Sequence, residues 1–210
     1  MVLIFIILSA CSGTSPQEKI YEHLEKAVSL EEGFEEQQDE ITALEKQEQQ
    51  IYSQIIELDM SEFEQVKELS QEAIDIIKQR SDKITLEQES ISASREEFEK
   101  IDDLINDLKE EEVRDKAEEL YKVMIVRYEA YDVLHDAYIR SLEEEEKLYT
   151  LLQNEDVSEE ELKDQIAEIN NTYQEVIDGN EQFNTNTVTY NELKKEFYEI
   201  ADINVTYDED

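Results

Sequence analysis

The chain has 210 residues, 57 of them acidic and 19 basic, giving a formal net charge of -38, with only three glycines and one proline. So negative a surface is repelled by nucleic-acid phosphates and anionic lipid headgroups, and no basic stripe or aromatic–basic interleaving offsets this, which argues against nucleic-acid binding. Hydrophobic residues still make up 39% of the chain. That is too many for a disordered polyelectrolyte, and the scarcity of turn formers predicts long helices with narrow apolar seams.

Residues 1–10 read as a signal peptide. Val2–Leu8 is a short apolar h-region, near the lower limit of about seven residues. Leu8-Ser9-Ala10-Cys11 then sets the sole cysteine behind a leucine and two small residues. This looks like the lipobox of bacterial lipoproteins, which implies a diacylglyceryl group with palmitate-type chains on Cys11 and cleavage just before it. An ordinary secretory signal, or a free thiol near the N-terminus, are the other readings of these residues. No Lys or Arg precedes the h-region, so the n-region is expected to be truncated, through a start upstream of Met1 or because the chain is a fragment. Residues 11–16 are expected to be a flexible tether from the lipid anchor. Only residues 2–8 are continuously apolar, against the roughly 20 that a transmembrane helix needs.

From Pro16 the periodicity is helical. Ile20, Leu24, Ala27, Phe34, Ile41, Leu44, Ile51, Ile55 and Leu58 recur at 3- and 4-residue steps and their multiples, interrupted at Gln37/Gln38 and Gln47/Glu48 as in a wet seam. Ser61 and Glu64 predict a capping box opening a second helix, with apolar positions from Phe63 and Val66 through Ala73, Ile77, Ile84, Ile91 and Phe98 to Leu108. A break is expected at residues 109–112. A third stripe runs from Val113 through Tyr128 and Tyr138 to Leu152. Ser158 and Glu161 form a second capping box, and a fourth stripe runs from Leu162 to Ile200. Gly179 and the Asn/Thr-rich stretch after it predict bending or fraying at residues 178–188. The two turns share D-x-S-E-x-E at an offset of 97 residues, which suggests a duplicated helical hairpin. The expected architecture is all-α: an elongated antiparallel bundle of about four long helices in coiled-coil-like hairpins, a single domain over residues 17–205, with an acidic tail at 206–210.

Chemistry-bearing groups are sparse. His23 and His135 lie in different contexts without the Glu-x-x-His pairs of a di-iron bundle, so no metal or cofactor is expected. Tyr121, Tyr128, Tyr131 and Tyr138 share one helical stripe; a sugar-stacking platform is one reading, and core positions with wet hydroxyls are the favoured one. The runs Glu110–Glu112, Glu143–Glu146 and Glu159–Glu161 read as solvated helix faces. No P-loop, dinucleotide fingerprint or serine elbow appears, and no enzyme activity is expected.

With the lipobox, the onset "SPQEKIYEHLEKAV" and the stretches "SREEFEKIDDL" and "KAEELYKVMIVRYEAY", the chain resembles the cell-wall binding lipoprotein family of Gram-positive bacilli, the YkyA-like family. The resemblance spans essentially the whole mature chain and carries over one functional residue, Cys11. It implies a lipid-anchored, extracytoplasmic protein on the outer face of the plasma membrane, facing the wall, with no assigned activity. Its expected partners are the membrane through the lipid on Cys11, and a cell-wall polymer or an envelope protein. Direct binding of a glycan or teichoic polymer, or cation bridging between polyanions, are the alternative routes to the wall.

Overall fold

The computed structural model describes residues 14–205, helical almost throughout and with no strand among them. Six helices follow in order: α1 Pro16–Leu30, α2 Glu32–Ile55, α3 Phe63–Phe98, α4 Ile101–Ile105, α5 Glu111–Leu152 and α6 Glu159–Ile200. One residue separates α1 from α2, so the α1/α2, α3, α5 and α6 runs make four long rods of an antiparallel all-α bundle. The 42 residues of α5 span about 63 Å at 1.5 Å per residue. The α1/α2 run pairs with α3, α5 pairs with α6, and the two hairpins join along α3 and α5. The predicted signal peptide, Cys11 and the acidic tail lie outside the described residues.

Capping sets where each rod begins. Ser15 accepts from Glu18 N at 3.3 Å, and Glu18 accepts from Ser15 N at 2.7 Å, so Pro16 sits in the first turn of α1 and not in the tether. Ser158 caps α6 as the sequence predicts, with Glu161 returning the bond at 2.9 Å. The sister turn differs. Ser61 does not cap; Asp59 does, accepting from Ser61 N at 2.8 Å, and it opens a 3-10 turn over Met60–Glu62 from which α3 starts at Phe63. A carboxylate outcompetes a hydroxyl as acceptor, and the Ser61 hydroxyl itself donates to Asp59 at 2.5 Å.

Two further expectations are corrected. The first rod is not continuous: its ladder opens at Glu31. The Ser90 hydroxyl of α3 donates to Leu30 O at 2.6 Å and accepts from Phe34 N at 3.1 Å, wedging into the bond those two groups would otherwise make. Gly33 permits the approach, since a Cβ there would meet Ser90 Oγ at 3.2 Å. Conversely, α6 runs unbroken through residues 178–188. Gly179 lies so close to α5 that a Cβ would meet Leu134 Cα at 3.0 Å, and buried Phe183 anchors the next turn. Tertiary packing there overrides weak propensity.

The core falls into two parts. In the first, which we call the closed half, α1, the C-terminal part of α3, α4, the N-terminal part of α5 and the C-terminal part of α6 bury Leu24, Phe98, Leu120, Tyr128, Tyr131 and Phe197 together. Aromatic side chains bridge the seam between the first and last rods: Tyr21 meets Tyr198 at 5.2 Å between ring centroids, and Phe34 meets Phe183 at 5.8 Å. The second core, in the open half, joins α2, α3 and α5 through Ile51, Ile55, Ala73, Ile77, Leu142 and Tyr149. No residue of α6 belongs to it, and there the seam stands open.

Polar layers cross the bundle at heptad intervals. Glu31, Gln38 and Glu45 on the first rod oppose Ser94, Glu87 and Arg80 on α3, each step seven residues along both chains. This spacing keeps all six on the facing seam of the two helices.

Candidate functional site

The open seam forms a groove of about 600 Å³ between the C-terminal half of α2 and the N-terminal half of α6, floored by α3 and α5. Tyr52 and Thr42 stand on the α2 wall; Ile166, Tyr173 and Ile177 stand on the α6 wall, Ile177 being 59% exposed. At the floor lies Arg80, whose side chain is only 4% exposed.

Every donor of the Arg80 guanidinium is engaged. Nε and Nη2 donate to the Tyr138 hydroxyl at 3.0 and 2.9 Å. Nη1 donates to Glu48 and, at 2.5 Å, to Glu145 Oε2, and Nη2 reaches Glu45 Oε1 at 3.5 Å. The Tyr138 hydroxyl donates to Glu45 at 2.7 Å, and Tyr149 donates to Glu48 at 3.1 Å. Burial alone would weaken the charge on Arg80, but Glu145, Tyr138 and Glu48 outweigh it and raise its pKa. Burial likewise pushes Glu145 up to about 7 against the pull of Arg80. The Tyr173 hydroxyl approaches the same carboxyl, yet Glu145 Oε1 is buried with no hydrogen-bond partner.

The guanidinium therefore has no donor left for an anion. Three carboxylates surround one cation, and an unused acceptor points the same way. The arrangement can receive a donor, above all a cationic one, and it offers exposed apolar and aromatic surface alongside.

The sequence-predicted candidates are dispersed. Tyr128 and Tyr131 are core, each 1% exposed, and Tyr121 stacks on Phe98 at 5.5 Å, while Tyr138 lines the groove. His23 bonds Glu97 at 2.7 Å across the α1–α3 seam, and His135 lies apart on α5, its Nδ1 without a hydrogen bond and 3.6 Å from Asp136. Among the described residues, no group of three or more His, Cys, Asp or Glu side chains is placed to hold a metal ion. The run Glu143–Glu146 is not wholly a solvated face, since Glu145 is 2% exposed, and Glu48, read as a wet interruption, is 7% exposed. Both were pulled inward by Arg80, which sequence reasoning missed. The signal was present: Ala73, Ile77, Ile84, Ile91 and Phe98 leave heptad gaps filled by Arg80, Glu87 and Ser94. A polar residue recurring within an apolar stripe marks a buried layer.

The chain is 30% identical over 196 residues to "Uncharacterized lipoprotein YkyA" of Bacillus subtilis (strain 168), covering 93% of this chain and 88% of that one. It shares its fold with a solved "Conserved Protein of Unknown Function from Staphylococcus aureus", at a TM-score of 0.68 and 14% identity, over 86% of this chain and 91% of that one. No described helix is long and apolar enough to cross a membrane. The family model described as "Putative cell-wall binding lipoprotein" matches residues 15–200, and the chain belongs to that family, YkyA.

Proposed function

We propose that this protein is a non-catalytic, lipid-anchored module of the cell envelope, held by Cys11 on the outer face of the plasma membrane, and that the α2–α6 groove is where it meets the wall. The observation that carries the reading is the seam itself. In the closed half aromatic side chains bridge it, whereas in the open half exposed Tyr173 and Ile177 flank a buried carboxyl oxygen with no partner. Exposed apolar walls around a few convergent polar groups are the usual make-up of a binding cleft. The family description supplies the wall as the surface to be bound. Two acyl chains on Cys11 give stable membrane attachment.

The test has two arms. In cells, fatty-acid labelling is expected for the wild type and lost in Cys11→Ala, from a start codon that restores a basic n-region; equal labelling removes the anchor. In vitro, protein starting at Ser12 is expected to stay on sacculi stripped of teichoic polymers, and Tyr173→Ala to be released. The net charge of -38 favours a second route, bridging by divalent cations, which predicts loss of retention with a chelator and indifference to Tyr173.

A further inference from the structure

We propose that the groove recognises a primary ammonium group, seated against Glu145, on a ligand whose apolar part lies along the isoleucines of α6. The inference rests on the groove being the binding site and adds the chemistry of what it binds.

The floor offers nothing to an anion. Arg80 spends its Nε, Nη1 and Nη2 groups on Tyr138, Glu48, Glu145 and Glu45, so a phosphate or carboxylate seated there would face carboxylates, and the donors of the groove stand on its walls, at Thr42, Lys46, Gln49 and Asn170. What the floor lacks is positive charge, since Lys46, the other cation lining the groove, is not the ion-pair partner of these carboxylates. The closed half shows a matched layer: Arg127 donates to both oxygens of Glu31, at 2.8 and 2.7 Å, and Ser94 adds a third bond at 2.9 Å. There one guanidinium answers one carboxylate. In the groove one guanidinium answers three, of which Glu45 is partly solvated, and Glu145 Oε1, on a side chain 3% exposed, makes no hydrogen bond of its own, with the Tyr173 hydroxyl near the same carboxyl. An ammonium group provides three donors and one charge, in a size that enters where a second guanidinium would not pack. The half-exposed ring of Tyr173 stands where it can face the same cation. Ile166, Ile169 and Ile177 give an aliphatic chain a dry wall to lie on.

The titratable and charged groups that line the groove with Glu145 are Glu45, Glu48, Lys46 and Tyr52 from α2, Arg80 from α3, Tyr138 and Tyr149 on its own helix, and Tyr173 from α6. Burial pushes the Tyr138, Tyr149 and Tyr173 hydroxyls well up, and Arg80 is held protonated. An ammonium group favours the ionised form of Glu145, so affinity falls as pH is lowered through about 7. Glu87 also sits at about 7, but it belongs to a separate layer and bonds Gln38. The Glu145→Gln variant therefore assigns the pH dependence to the groove.

The probes are Nα-acetyl-lysine amide and its Nε-acetylated counterpart, titrated into protein starting at Ser12 and followed by NMR. The neutral probe is expected to bind about tenfold more weakly, or not at all, as for loss of a charge partner at a buried site. The lysine probe should weaken between pH 8 and pH 6 in the wild type but not in Glu145→Gln. Equal binding of the two probes, or binding of neither, overturns the proposal without requiring any variant to fold. Sacculi with acetylated amino groups locate the source. Loss of retention there identifies a wall amine. Lysine-probe binding with no retention on any sacculus upholds the ammonium site, removes the wall as the source of the amine, and defeats the wall reading.

Discussion

Arg127 and Arg80 are two buried guanidinium groups at similar stations in the two halves of one bundle, and their surroundings differ in charge. Arg127 is matched by a single bidentate glutamate and lies under a seam bridged by aromatic rings. Arg80 gathers three glutamates beneath a seam that α6 leaves open. The closed half thus shows what a finished layer of this fold looks like, and the open half shows the same layer with unused acceptors and an unfilled wall. A buried ion cluster is weak evidence for stability. An unbalanced one beside a groove is better explained by something that completes it.

The largest effects should separate the halves by packing. Phe98 is fully buried among Tyr121, Tyr128 and Tyr190, so Phe98→Ala should lose about 3–5 kcal/mol in urea unfolding. Tyr173→Ala, on the groove wall, should lose under about 1 kcal/mol. Comparable losses would mean that the groove is core. Arg80→Ala should cost about 3–5 kcal/mol at pH 8, because it strands the buried Glu145 and Glu48, and the loss should shrink at pH 5 as Glu145, raised to about 7 by burial, takes up its proton.

The pH dependence follows from signs. Glu145 and Glu87 have folded pKa values raised to about 7 by burial. The folded state therefore holds their protons more tightly than the unfolded chain does. Their stabilising contribution is complete below the unfolded value of about 4.5 and is lost as pH rises through about 7. The melting temperature should accordingly fall by about 5 °C or more from pH 5 to pH 8. Glu18, Asp59 and Glu161, lowered by their capping bonds, act in the opposite sense, and only in acid. A melting temperature that rises from pH 5 to pH 8 would contradict the burial of the two glutamates.

The smallest effects lie at the turns that end the open half. Asp59→Ala and Ser158→Ala should each cost about 1 kcal/mol, the scale of a lost N-cap. Ser61→Ala should cost only a few tenths of a kcal/mol, as expected away from a cap. Equal losses at Ser61 and Ser158 would restore the symmetric reading of the two turns.

The rods were legible because their signals are local and repeated. Val113 to Leu152 keeps a 3- and 4-residue rhythm, and Ser158 with Glu161 announces a helix start in four residues. The misreadings came from nonlocal partners. Nothing near Leu30 reveals that a hydroxyl 60 residues away will enter its ladder, and nothing near Gly179 reveals the backbone of Leu134 beside it. The candidate site fell between these cases. Arg80, Glu87 and Ser94 stand at readable heptad gaps, but which gap opens to solvent depends on where α6 leaves the seam. That is decided by the bridging rings Phe34, Phe183, Tyr21 and Tyr198, scattered over more than 160 residues. Among 57 acidic residues, no spacing rule singles out Glu48 and Glu145.

The most direct measurement is hydrogen exchange of the protein with and without soluble wall fragments that retain their amino groups. Slower exchange confined to residues 42–52 of α2 and 166–177 of α6 is the expected result, with the closed half unchanged and the effect absent in Tyr173→Ala. Protection centred on α1 and the C-terminal half of α6, or none in the groove despite retention on sacculi, would contradict the assignment of the open seam as the binding site.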